Sequence, residues 1–316
     1  MKILTQDQAS TIVTLAVERL ANYVKEYGLQ ALINGISGGI DSAVVAGISR
    51  LTALRLRTEG YTITERYLYI GIESDSSDLV KARLLAQAFG LELEEIDLTT
   101  WYRQSPIKAR VSSADSRKKV HFGNQKCRLR MVTLSQEANI YCGIYLDTDD
   151  LSEEGVGFWT VRGDTGDVKL IQHLTKIEVY DLGEYLGVPD EILQSAPGDG
   201  LGVTASNTAT SQLGLDYIFV DYIISRFQEC GFDINGGWEQ FDQPLFQQLV
   251  YTVATEINVI PDQVQAILNQ AVKTRAKRKY GDNVAHLLPS RTELGLPELG
   301  TPEFASLYLA AIRQLN

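Results

Sequence analysis

The sequence predicts an α/β protein: a doubly wound parallel sheet flanked by helices, followed by a helical C-terminal extension. Short strand-like runs at 31–36, 67–72, 91–96 and 144–146 alternate with stretches of helical periodicity, in the order βαβαβ…αβ. The runs are apolar on both faces, as strands covered by helices on either side require. From about Asp216 onward only helical stripes recur.

The elements follow in chain order. Between about Thr5 and Tyr27, Ile12, Leu15, Ala16, Leu20 and Val24 form one helical stripe that Gly28 closes. A strand from about Ala31 to Ile36 leads into Ser37-Gly38-Gly39-Ile40-Asp41-Ser42, and the next helix continues to about Arg57, where Thr58-Glu59-Gly60 breaks it. Tyr67-Leu68-Tyr69-Ile70-Gly71-Ile72 has the aromatic and β-branched content of a strand. Asp75-Ser76-Ser77-Asp78 supplies N-caps for a helix through Phe89 that ends at Gly90. Leu91 to Ile96 is a third strand. The weakly periodic, basic stretch from Thr100 to Asn124 reads as a loop, and loops of that length are usually functional or disordered. Lys126 to Tyr141 is helical, with Cys127, Met131, Leu134, Ala138 and Tyr141 on one face, and Ile144-Tyr145-Leu146 is the fourth strand.

Leu151 to Gly166 is rich in glycine and acid; Leu174 to Leu186 is a helix closed by Gly187 and Pro189. Ser195 to Gly214 reads as a mobile loop and a plausible lid. Helices are expected over 216–229, 244–257 and 262–279, and residues 281–316 form a tail, expected to be partly disordered. Residues 1–280 are thus expected to form one domain.

At 316 residues and 44% hydrophobic content, the chain buries a full core. A net charge of −11 argues against nucleic acid or an anionic membrane as the main partner. Cys127, Cys142 and Cys230 make no C-x-x-C pair, and His121, His173 and His286 lack metal-ligand spacing. The N-terminus turns polar too early for a signal peptide, and no apolar run is long enough to span a bilayer. The expected location is cytoplasmic.

The stretch from Ser37 to Ser42 carries the chemistry. A strand, a glycine turn and a helix start present backbone N–H groups and a helix N-terminus to an anion. Gly38 and Gly39 admit positive φ and leave no Cβ in the way; Ser37 and Ser42 add hydroxyls. Asp41 has no obvious partner in a phosphate cradle unless a cation such as Mg²⁺ bridges them. The plainer reading is an acidic residue favouring a helix dipole, worth ~0.3–1 kcal/mol. No Lys stands where Walker A requires one, and the adjacent glycines do not fit G-x-G-x-x-G.

SGGIDS resembles the pyrophosphate-binding loop of the N-type ATP pyrophosphatases. Further motifs narrow the resemblance. Gly123-Asn124 with Arg128, Arg130 and Met131 is similar to the GN-x-x-x-R-x-R-M helix start of NAD synthetases. Thr148 to Glu153 resembles their strand-end segment, and Gly157-Phe158-Trp159-Thr160 with Gly163-Asp164 their G-F/Y-x-T-x-x-GD signature. Thr175-Lys176 through Tyr185-Leu186-Gly187-Val188-Pro189 and the pair Lys277-Arg278 complete the series, which runs in order over most of the chain. The resemblance implies the adenine nucleotide alpha hydrolase-like fold.

It also implies the reaction. ATP adenylylates the carboxylate of nicotinic acid adenine dinucleotide, releasing pyrophosphate, and ammonia then displaces AMP to give NAD. Asp41 and Glu153 would ligate Mg²⁺, and Ser37, Gly38, Gly39 and Ser42 would cradle pyrophosphate. Lys176 would neutralise phosphate charge and Lys277 would close over it. Thr148 would contact the adenine nucleotide, and Asn124, Arg128 and Asp164 the deamido dinucleotide. Only a short helix precedes the loop, so ammonia is expected to be free or to come from a separate subunit; a homodimer is implied. Alternatives are amidation of a different carboxylate and a non-catalytic nucleotide-binding module. The chain departs from the family pattern at Gly198 within 197–201, at 208–214, at Ala276, and at Gly71-Ile72-Glu73, where an arginine is frequent.

Overall fold

The computed structural model describes residues 2–112, 114–163, 165–198, 206, 208–278 and 284–315. Six parallel strands make one sheet: β1 (Ala31–Gly35), β2 (Thr64–Gly71), β3 (Leu93–Asp97), β4 (Gly143–Asp147), β5 (Val168–Lys169) and β6 (Ala285–His286). Their order is β3-β2-β1-β4-β5-β6. The chain therefore winds outward from β1 through β3 and returns to β1's other side at β4. Between β1 and β4 the winding reverses, and the crevice at such a switch point, at the strands' carboxyl ends, is where α/β sheets bind ligands.

The helices are α1 (Gln6–Glu26), α2 (Ile40–Thr58), α3 (Ser76–Phe89), α4 (Thr99–Gln104), α5 (Pro106–Ala109), α6 (Lys118–Ile140) and α7 (Leu151–Val156). They continue with α8 (Lys176–Leu186), α9 (Asp190–Leu193), α10 (Ala209–Leu213), α11 (Tyr217–Glu229), α12 (Pro244–Glu256), α13 (Pro261–Arg278) and α14 (Pro302–Ile312). Alternate strand residues serve opposite faces. Leu32, Tyr67, Tyr69, Ile144 and Leu146 pack with α1, α2 and α8, whereas Ala31, Ile33, Leu68, Ile70 and Tyr145 meet Tyr102 of α4 and Leu134 and Ala138 of α6. A separate core of α11, α12, α13 and α14 surrounds Phe227, Phe246, Ile267, Phe304 and Tyr308 and takes in Val156 of α7.

Several expectations are corrected. The stretch read as a loop over 100–124 holds α4, α5 and the first turns of α6, because Ser105 caps α5 with Pro106 at its first position. The acidic segment after β4 contains α7, begun by an Asp150–Glu153 capping box. The tail is ordered over 284–315: β6 pairs with β5, and α14 packs on α11. Two-residue strands such as β5 and β6 are too short to leave a periodic signal. In the 195–214 segment α10 forms, while residues 199–205 and 207 lie outside the described residues. Among the described residues no helix is long and apolar enough to cross a membrane.

Candidate active site

A cleft of about 480 Å³ opens at the carboxyl ends of β1, β2 and β4. The glycine loop forms its floor. Gly38 has φ +86°, and a Cβ there would lie 2.5 Å from the Asp78 carbonyl oxygen of α3, so glycine is required twice over. Gly39 is the N-cap of α2 and supplies no side-chain cap. The loop braces itself instead: Gly39 N donates to Ser37 Oγ (3.2 Å), Ser37 N to Ser42 Oγ (3.2 Å), and Ser42 Oγ to Gly39 O (3.0 Å). The positive end of α2 thus faces the cleft beside Asp41 of its first turn.

Lys176 stands at the centre of the site. It opens α8, whose N-terminus is set by a Thr175–Glu178 capping box, and its side chain is 1% exposed. Its ammonium lies 2.7 Å from Asp41 Oδ1, 2.9 Å from Glu153 Oε1 and 3.0 Å from Asp150 Oδ2. Burial disfavours the ammonium, but the charges of Asp150, Asp41 and Glu153 outweigh it and hold Lys176 protonated well beyond its ordinary range. Burial pushes the Asp150 and Glu153 carboxyls up against the pull of Lys176. Three carboxylates facing one ammonium leave the group short of positive charge.

That shortage bears on Mg²⁺. Among the described residues no three His, Cys, Asp or Glu side chains are arranged to hold a metal by themselves. The donor chemistry suits a hard cation: Asp41 and Glu153 oxygens both meet the Lys176 ammonium, and the buried Asp150 Oδ2, ion-paired but off the line of a hydrogen bond, retains acceptor capacity. Mg²⁺ is commonly held by one or two carboxylates with substrate phosphates and water completing its shell.

The backbone around Lys176 is held from three directions. Lys176 N donates to Ser152 Oγ (2.8 Å), which donates to the buried Asp221 Oδ2 of α11 (2.8 Å). Glu178, fully buried, receives both arms of Arg291 at 2.7 and 2.8 Å. Thr175 Oγ1 and the Tyr308 hydroxyl of α14 share a hydrogen bond.

Of the residues singled out in the sequence, Ser37, Gly39, Asp41, Ser42, Thr148, Glu153 and Lys176 line the cleft together. Gly38 shapes the loop from behind, against α3. Three others are not brought into it. Arg128 is exposed on α6 and donates to Val161 O (3.2 Å); Asn124 Oδ1 accepts from Thr160 Oγ1 (2.8 Å). Lys277 Nζ donates to Gly157 O (2.7 Å) and Trp159 O (2.5 Å), fastening the segment that leaves α7. Asp164 lies outside the described residues.

The cleft also contains residues the sequence did not single out. Arg130 donates to Ile70 O (3.0 Å) and Ser74 Oγ (3.1 Å) at the end of β2. Helical spacing was the available signal: position 130 shares the inward face of 127 and 134, and position 128 does not. Outside the lining, Asp150 pairs with Lys176 and is marked by its capping box. Lys81 and Tyr217 line the cleft with no such signal. Glu73, at the departure from the family pattern, adopts φ +50° and accepts from Arg103 (3.0 Å), Lys108 (2.7 Å) and lies 3.3 Å from Lys126.

The family model of NAD synthase matches residues 12–280. The chain is 32% identical over 213 residues to the NH(3)-dependent NAD(+) synthetase of Syntrophomonas wolfei, covering 66% of this chain and 82% of that protein. It is 30% identical over 217 residues to the NH(3)-dependent NAD(+) synthetase of Thermoplasma volcanium, covering 68% and 84% respectively. Among solved structures, the NMN synthetase from Francisella tularensis superposes with a TM-score of 0.63 at 23% identity, over 85% of this chain and 95% of that one, a likeness of fold. With the match extending over both the glycine loop and the carboxylate–lysine cluster, the chain belongs to the NAD synthase family.

Proposed function

We propose that this chain is an ammonia-dependent NAD synthetase, a ligase that forms a carbon–nitrogen bond. A carboxylate oxygen of nicotinic acid adenine dinucleotide attacks the α-phosphorus of ATP, the α–β phosphoanhydride breaks, and pyrophosphate leaves. Ammonia then attacks the activated carboxyl carbon, the carbon–oxygen bond to AMP breaks, a proton is lost, and NAD forms. The observation that carries this reading is the convergence of Asp41, Glu153 and Lys176 over the Ser37–Ser42 loop at the sheet's switch point.

No side chain has to act as a covalent nucleophile. The work is positioning and charge neutralisation. The loop hydroxyls and the α2 N-terminus receive the polyphosphate, with Thr148 beside the nucleotide. Lys176 follows the charge onto departing pyrophosphate. Asp41 and Glu153 would hold Mg²⁺, which would supply charge neutralisation when bound. Lys277 serves indirectly, by fixing the chain beyond Glu153 through its two carbonyl bonds. Asn124, Arg128 and Asp164 are assigned in this reading to the deamido dinucleotide. Helix α6, which carries Asn124 and Arg128, also exposes Val120, Val132 and Ile140, which agrees with a homodimer built along it. A cytoplasmic location suits Cys142 and Cys230, which form no disulfide among the described residues.

Glu73 favours a second reading, a different carboxylate substrate, because it belongs to Gly71-Ile72-Glu73 after β2, where the chain departs from the family pattern. One assay separates them. Purified protein with ATP, Mg²⁺, the deamido dinucleotide and ammonium is expected to yield NAD and AMP in equal amounts. Pyrophosphate release only with another carboxylate would favour the second reading, and tight ATP binding without turnover would point to a non-catalytic module. Asp41→Asn is expected to lower kcat by about a hundredfold or more while the circular dichroism spectrum is unchanged.

A further inference from the structure

Tyr217, the first residue of α11, is 3% exposed and lines the cleft. Its ring centroid is 5.4 Å from Lys176 Nζ, a cation–π contact that the ring alone provides. The hydroxyl needs another explanation. Among the described residues it has no hydrogen-bond partner, and a buried donor left in that state is costly. Asp41, Asp150 and Glu153 are ion-paired with Lys176, and none of them accepts a hydrogen bond from the hydroxyl. Burial and those carboxylates also keep the phenol protonated, so it is a neutral donor.

We propose that Tyr217 is a further catalytic residue: its hydroxyl donates a hydrogen bond to an anionic oxygen of a substrate bound in the cleft. That oxygen belongs to a phosphate of ATP or to the carboxylate of the dinucleotide. The identity of these substrates rests on the functional reading above; the vacant donor beside Lys176 does not. Phenylalanine would fill the same space and keep the contact to Lys176, so the oxygen can be removed by itself.

The test compares full-length wild type with Tyr217→Phe, each held well below its melting temperature. Because the lost hydroxyl has no partner among the described residues, Tm is expected to stay level or rise. A bond to a charged acceptor is worth about tenfold to a hundredfold in affinity or rate. Weaker calorimetric binding of ATP with Mg²⁺ would place the acceptor on phosphate. Weaker binding of nicotinic acid adenine dinucleotide would place it on the carboxylate. A fall in kcat/KM with both affinities unchanged would place the bond in the transition state. Affinities and kcat/KM all within about twofold of wild type would overturn the proposal. A lowered Tm with unchanged affinities and rates would also overturn it, by assigning the hydroxyl a structural partner. If wild type binds ATP but makes no NAD, the functional reading fails while the ATP comparison still decides Tyr217. If it binds neither substrate, both fail.

Discussion

Lys176 decides the character of the site because one ammonium serves three acids in a buried position. Stripping one partner from a buried ion pair typically costs about 3–5 kcal/mol, so the lysine holds the cluster together. Glu73 is the opposite case, one acid shared by three cations. Burial pushes its carboxyl up, but hydrogen bonds from Lys108, Arg103 and Lys126 outweigh that and hold it down to about 2. An acid with a depressed folded-state value stabilises the fold above its ordinary range, and that contribution is lost as pH falls. Glu73→Gln is therefore expected to be less stable than wild type at pH 7, with the gap closing between about pH 4.5 and about pH 2. Urea unfolding across that range measures it; a gap independent of pH would show that the carboxylate's charge is not what matters.

At the scale of elements, the site depends on how helices begin. The uncapped start of α2 meets the capped starts of α7 and α8, and each brings one of the three interacting charges Asp41, Glu153 and Lys176. The loop before α2 is the least forgiving of these joints. Gly38→Ala would place a Cβ 2.5 Å from the Asp78 carbonyl and force a left-handed φ on an L side chain. The expected loss is about 2 kcal/mol of stability, with weaker ATP binding, since loop and α3 must separate. Thermal melts with and without ATP check both parts. An unchanged Tm would mean that the loop relaxes at no cost.

At the scale of the whole molecule, the C-terminal segment supports the catalytic edge. Leu288, Leu294 and Leu296 enter the first core, and Phe304, Tyr308 and Ile312 the second. Their burial is worth roughly 10 kcal/mol together, comparable to the net stability of a domain. Arg291 and Tyr308 also grip the start of α8. Ending the chain after residue 283 is thus expected to abolish cooperative unfolding, as followed by circular dichroism, rather than to leave a trimmed, active enzyme.

Much of this was legible in the sequence. The long helices, the first four strands and the glycine loop are local, because hydrophobic periodicity and turn chemistry act over a few residues. The motifs singled out Asp41, Glu153 and Lys176, whose side chains the fold brings into contact. The short strands β5 and β6, the docking of the tail, the turning of Arg130 inward and Arg128 outward, and the use of Lys277 as a backbone clamp are of another kind. Tyr217 belongs with them. Each depends on a partner far away in the chain, and a side chain's environment is set by what the fold packs against it. Sequence determined which groups were present and which local structures held them; only tertiary packing decided which of those groups share a desolvated cleft, where a charge or a lone hydroxyl has consequences it lacks in water.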